Sequence, residues 1–134
     1  QALYQDRVNL DLERLGIEME GFVSDVRPAY RRAEVVIAPL LASAGTNIKI
    51  MEAMAMGKAI VSTPAGINGL DLHPGEDVVV EHTGAGIASA IRTLFADSAR
   101  RRSIEQAARQ TAERQYDWAS IAQAQARLYR SFLP

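Results

Sequence analysis

Residues 34–63 read EVVIAPLLASAGTNIKIMEAMAMGKAIVST, and this stretch decides the fold. Val35-Val36-Ile37-Ala38 is a short, continuous, β-branched apolar run, the pattern of a strand buried on both faces rather than of a globular helix. A small-residue turn follows, Ala42-Ser43-Ala44-Gly45, with Thr46 at a helix N-cap position. The helix from Asn47 to about Met56 stops at Gly57, which can take the left-handed conformation that helix ends often need. Ala59-Ile60-Val61 is a second β-branched run. Strand, glycine turn, helix and strand make a βαβ unit whose turn lies at the carboxyl edge of a parallel sheet, where ligands of open α/β proteins bind.

Working outward from that turn, the helix is apolar almost all round: Ile48, Ile50, Met51, Ala53, Met54, Ala55 and Met56 predict that it is largely buried. Glu52 is the one acid among them, and a buried carboxylate needs a partner. Lys49, on the same helix face, offers an ion pair worth a few tenths of a kcal/mol. A pair of ligand hydroxyls offers hydrogen bonds to a charged group, worth ~1.5–3 kcal/mol. Spacing alone favours the ion pair.

The turn has a second property. Gly45, Thr46, Asn47 and Ile48 supply free backbone N–H groups at the positive end of a helix dipole, an arrangement that suits a phosphate. Small side chains at Ala44 and Gly45 let a pyrophosphate come close. Neither a Walker A loop nor a GxGxxG is present, so the glycine turn carries weight only through the strand before it.

Composition excludes several classes. The chain has 134 residues, 48% hydrophobic, with a net charge of -1, enough for one domain with a real core and no basis for nucleic-acid binding by bulk charge. It lacks cysteine, hence any disulfide framework or thiolate metal site, and a cytoplasmic chain is expected, at most peripheral to the inner face of a membrane. No apolar run approaches the ~20 residues of a membrane helix, and no signal peptide is visible. Gln1 is not an initiator methionine, so a piece of a longer polypeptide is expected. His73 and His82 lack partners at metal-ligand spacing and read as surface histidines. Ser43 and Ser62 sit in no nucleophile elbow.

Elsewhere, Leu3–Leu15 reads as a helix ending at Gly16, and Ile17–Val23 alternates apolar and acidic residues like a half-wet strand. Ser24 and Asp25 can cap a helix Val26–Arg32 with Pro28 in its first turn. Pro64–Gly75 is loop, and Asp77–Val80 a short strand. Helices follow: one marked by Ile87, Ile91, Leu94 and Phe95, and one capped by Asp97 or Ser98 that runs to about Gln115. A terminal helix is opened by Trp118, with Ile121, Leu128, Tyr129 and Phe132 on one side. Arg100-Arg101-Arg102 reads as a solvated helix face, diluted by Glu105 and Glu113.

The runs Glu20–Asp25, Tyr30–Leu40 and Gly45–Thr63, with Gly66, Gly69-Leu70 and Tyr116-Asp117-Trp118, resemble the C-terminal domain of GT-B-fold glycosyltransferases of the group 1 (family 4) type. The likeness spans Gly16 to Phe132. It implies an α/β fold, a Rossmann-like parallel sheet with flanking helices, the C-terminal half of a GT-B fold truncated at its N-terminus. It also implies donor binding, with residues 1–134 a partial nucleotide-sugar-binding domain. The glutamate matching Glu52 accepts hydrogen bonds from ribose hydroxyls. Amides matching Thr46, Asn47 and Ile48, beside Gly45, meet the diphosphate, and the strand end matching Phe22 and Val23 lines the base pocket or is simply core. Lys49 matches a lysine of a subgroup that has a glycine-rich turn.

In that resemblance the full enzyme moves a sugar from a nucleotide diphosphate to an acceptor hydroxyl, with no metal and no other cofactor required. The acceptor is held by a missing N-terminal domain, so the fragment is expected to be silent alone and no catalytic residue is assigned within it. Two departures stand out. Ala44 occupies the place of a second glutamate that often contacts the donor sugar, and Asn47 stands where many of the subgroup have arginine. Ala44 keeps open a reading from another class, a non-catalytic nucleotide-binding or protein-interaction module on the same fold. The strands missing from the front would leave a gap in a 3-2-1-4-5-6 sheet, predicting an exposed edge or a homo-oligomer of the fragment.

Overall fold

The β-branched runs form the sheet. In a computed structural model, which describes residues 11, 12 and 14–132, β1 (Val35–Ala38), β2 (Ala59–Ser62) and β3 (Val79–Val80) lie parallel in the order β1-β2-β3. Val35 stands opposite Ala59, Ala38 opposite Ser62, and Val61 opposite Val79. The helices are α1 (Arg27–Arg32), α2 (Ile48–Ala55), α3 (Gly84–Ala96), α4 (Ser98–Thr111) and α5 (Trp118–Arg130), with a π turn, Ala112–Tyr116, between the last two.

Alternation along the strands divides the core between two faces. Val36, Ala38 and Ile60 pack with Ile50, Ala53 and Met54 of α2 and with Ala108 and Ala112. On the other face, Val35, Ala59, Val61 and Val79 pack with Leu94 of α3 and Ile104 of α4. All four residues of β2 are buried, as a central parallel strand covered by helices on both sides requires. Side-chain caps fix the later helices. Thr83 Oγ1 accepts from Gly86 N at 3.0 Å, Asp97 Oδ1 from Arg100 N at 2.9 Å, and Asp117 Oδ2 from Ala119 N at 3.0 Å.

Several expectations shift. The helix expected over Leu3–Leu15 falls mostly outside the described residues, and residues 11, 12, 14 and 15 are not helical. Ile17–Val23 is not a strand: it runs irregularly and exposed, with Phe22 97% accessible. A strand needs a ladder partner, and among the described residues nothing pairs with the outer edge of β1, where Ile37 is 48% exposed. The segment is held by charge instead, Arg32 donating to Glu20 Oε1 at 2.5 Å. α1 starts one residue later than expected and has no side-chain cap, although Asp25 Oδ1 accepts from Arg27 N at 3.0 Å. β3 is shorter than Asp77–Val80 because Asp77 turns inward, where its carboxylate accepts from His73 N at 2.8 Å and Thr111 Oγ1 at 3.1 Å. The terminal helix forms, but none of its residues is buried. No helix of the described residues is long and apolar enough to cross a membrane.

Candidate functional site

Two loops meet at the carboxyl edge of the sheet, and short side chains tie them together. Ser62 Oγ donates towards Ala38 O at 3.2 Å, and Thr63 Oγ1 donates to Leu40 O at 2.5 Å, fastening the end of β2 to the end of β1. Gly66 then lies so close that a Cβ there would stand 2.1 Å from Ser62 Oγ and 2.9 Å from Ala38 O. Only glycine fits that approach without displacing backbone. Asn47 Nδ2 donates to Gly66 O at 2.6 Å and to Ser43 Oγ at 3.2 Å, while Ser43 Oγ donates to Gly45 O at 2.6 Å. Gly69, at φ +78°, brings its backbone against Thr46 Oγ1.

The N-cap of α2 is therefore Asn47, not Thr46. Its backbone is extended (φ -88°, ψ 100°) and its side chain makes no capping bond, being occupied across the loops. Asn47 thereby ties the turn to the loop after β2. It also leaves the helix end open: among the described residues the amides of Thr46, Asn47 and Ile48 donate to no protein acceptor. Orphan N–H groups at the positive end of an eight-residue helix suit an anion.

Glu52 lies one turn further along, on the face of Ile48. The expected burial of α2 all round is corrected to burial of one face. Ile50, Ala53 and Met54 face the core, whereas Ile48 is 66% exposed. The open face borders a groove of about 560 Å³ lined by Ile48, Met51, Glu52, Ala55, Tyr116 and Trp118, among others. The ion pair with Lys49 does not form, and no ion pair among the described residues involves Glu52. Its partner is a phenol. Tyr30 Oη donates towards Glu52 Oε2 at 3.0 Å and lies 3.2 Å from Lys49 O. Burial, then the hydrogen bond and the charge of Glu52, push the Tyr30 hydroxyl up to about 12.

Gly45, Thr46 and Asn47 lie on the turn, and Ile48 and Glu52 on the helix it opens; of these five, Ile48 and Glu52 line the groove, and the exposed Lys49 contributes its carbonyl to Tyr30. Phe22 and Val23 do not line the groove that borders Glu52. Sequence reading missed Tyr30, whose contact bridges distant parts of the chain, although it lies in the run Tyr30–Leu40 that carries the family likeness. It also missed two fastenings behind the site. Asp77, 2% exposed, joins the loop before β3 to α4 through Thr111, and His73 Nδ1 stands 3.7 Å from its Oδ2. Arg101 is no solvated patch either, donating to Leu94 O at 2.8 Å with Glu34 Oε2 3.4 Å away.

Residues 2–97 match the family model of glycosyl transferases group 1. No curated protein sequence matches the chain significantly. Among solved structures, it is similar to Anabaena HepE in complex with UDP, with a TM-score of 0.78 and 24% identity over 90% of this chain and 35% of that one. It is similar to sucrose-phosphate synthase from Thermosynechococcus elongatus, with a TM-score of 0.74 and 22% identity over 90% of this chain and 32% of that one. The C-terminal domain of the Francisella tularensis group 1 glycosyl transferase LpcC gives a TM-score of 0.70 and 22% identity, covering 80% of this chain and 59% of that one. The chain spans about a third of the first and second of these, and the likeness shows the fold, that of the C-terminal half of GT-B glycosyltransferases.

Proposed function

This chain belongs to the group 1 glycosyl transferases, and from that premise we propose that its 134 residues are the donor-binding part of such an enzyme. The free amides of Thr46, Asn47 and Ile48, next to Gly45, take the diphosphate of a nucleotide-sugar, and Glu52 takes the ribose hydroxyls. The observation that carries this reading is the state of Glu52. Its carboxylate is held by a neutral phenol rather than by a cation, on the same helix whose first amides are unpaired.

In sugar transfer, negative charge builds on the departing diphosphate, and a fixed helix terminus stabilises it without reorganising. That chemistry needs no side chain of this chain as acid or base. Transfer to an acceptor then needs an acceptor-binding half beyond these residues, so the chain alone is silent. The Anabaena structures that hold UDP and UDP-glucose support the choice of ligand class. The competing reading, a non-catalytic nucleotide-binding or interaction module, is favoured by Ala44 in the turn.

Calorimetric titration with UDP and GDP separates the donor reading from the interaction module. The donor reading expects one nucleotide to bind and Glu52→Ala to weaken it about 10- to 100-fold, the worth of hydrogen bonds to a charged group. Binding of neither nucleotide favours the interaction module, and equal binding by wild type and Glu52→Ala removes Glu52 from the site.

A further inference from the structure

We propose that Tyr30 is a positioning residue that orients the Glu52 carboxylate and thereby sets the preference of the site for a ribose with both hydroxyls. This rests on the donor-site reading above. Glu52 is partly buried at the edge of an open groove, on a side chain with several rotatable bonds. Tyr30 Oη is the side-chain group that holds it, 3.0 Å from Oε2. The phenol has one hydrogen and two acceptors in reach, Oε2 and Lys49 O, the second at 3.2 Å. The carboxylate is the nearer and carries the charge, so it receives the hydrogen.

Three consequences follow from the partner being a tyrosine. The donor is neutral, so it fixes Oε2 without cancelling the charge that ribose hydroxyls would meet. Arg109 also lines the groove but is spent elsewhere, on Glu113 at 2.7 Å and on Ala55 O at the carboxyl end of α2. The ring is rigid and packs against the core cluster of Ala38, Ile50 and Ile60, so the hydroxyl has a fixed origin. One oxygen of Glu52 is held and, among the described residues, the other accepts no hydrogen bond, the state a two-point acceptor needs before a vicinal diol arrives.

The test compares UDP or GDP, whichever the wild type binds, with its 2′,3′-dideoxy counterpart. Tyr30→Phe keeps the ring and its packing. It is expected to weaken the ribonucleotide about 3- to 10-fold and to leave the dideoxy nucleotide unchanged. In a double-mutant cycle, Tyr30→Phe added to Glu52→Ala is expected to cost no further affinity, because the phenol acts through the carboxylate. Equal weakening of both nucleotides would show a merely structural tyrosine, and unchanged affinity for both would show an idle one; either overturns the proposal. A further loss on top of Glu52→Ala overturns it as well. Failure of the donor reading looks different, since wild type and Glu52→Ala would then treat the two nucleotides alike.

Discussion

β2 is an apolar run and α5 carries an apolar side, and they end in opposite environments. Ala59–Ser62 is sealed on both faces, each residue fully buried. Trp118–Arg130 buries nothing, and Trp118, Leu128 and Tyr129 are 83%, 55% and 61% exposed. For the apolar side of α5 the difference lies in partners. β2 has a strand on either side and a helix on either face. α5 has a well-made N-cap and touches little besides the π turn before it. An apolar pattern establishes that a segment forms, and neighbouring elements decide whether it is buried.

The contrast breaks first at its strong end. Ile60→Ala, in the middle of β2, is expected to destabilise by about 2–5 kcal/mol, from lost burial plus the cavity left behind. Leu128→Ala on α5 should stay within about 0.5 kcal/mol. Urea unfolding of the two variants measures both, and similar losses would mean that α5 is covered in solution. Next in size is Gly66→Ala at the carboxyl edge. The added methyl collides with Ser62 Oγ and with backbone at Ala38, and about 1–3 kcal/mol of stability is expected to go with it. A neutral outcome would show that the two loops are not clamped. Thr111→Val removes the hydroxyl that serves the buried Asp77 and is expected to cost about 1–3 kcal/mol in the same assay.

The smallest effect is electrostatic. With the Tyr30 phenol raised from 10 to about 12, its contribution to stability is fully present below pH 10 and is lost as pH rises through about 12. A phenolate absorbance titration of wild type minus Tyr30→Phe is expected to show one transition near 12. A midpoint at the ordinary value of 10 would mean that the bond to Glu52 is not maintained.

The βαβ unit was legible because everything that makes it is local: two β-branched runs, a small-residue turn and Gly57 at φ +62°. What was misread depends on distance. Ile17–Val23 has the alternation of a strand, but alternation is only half of a strand, and the ladder partner cannot be read from the segment itself. Thr46 and Asn47 both read as good caps; Asn47 takes the position, but its side chain caps nothing because Gly66, across the loops, claims its amide. Lys49 is the obvious partner of Glu52 by spacing, yet Tyr30 wins by coming from another helix with its ring in the core. The glycine turn and the helix after it were thus readable in the sequence, and the side-chain contacts around them were not.

The central claim is that an anionic nucleotide sits across the first turn of α2 with Glu52 at its sugar. Amide NMR of the chain during addition of UDP or GDP tests this most directly. The signals of Gly45, Thr46, Asn47 and Ile48 are expected to move first and furthest with one of the two nucleotides, with Glu52→Ala weakening the titration without changing which amides respond. Shifts confined to other parts of the chain, or a response that Glu52→Ala leaves untouched, would contradict it.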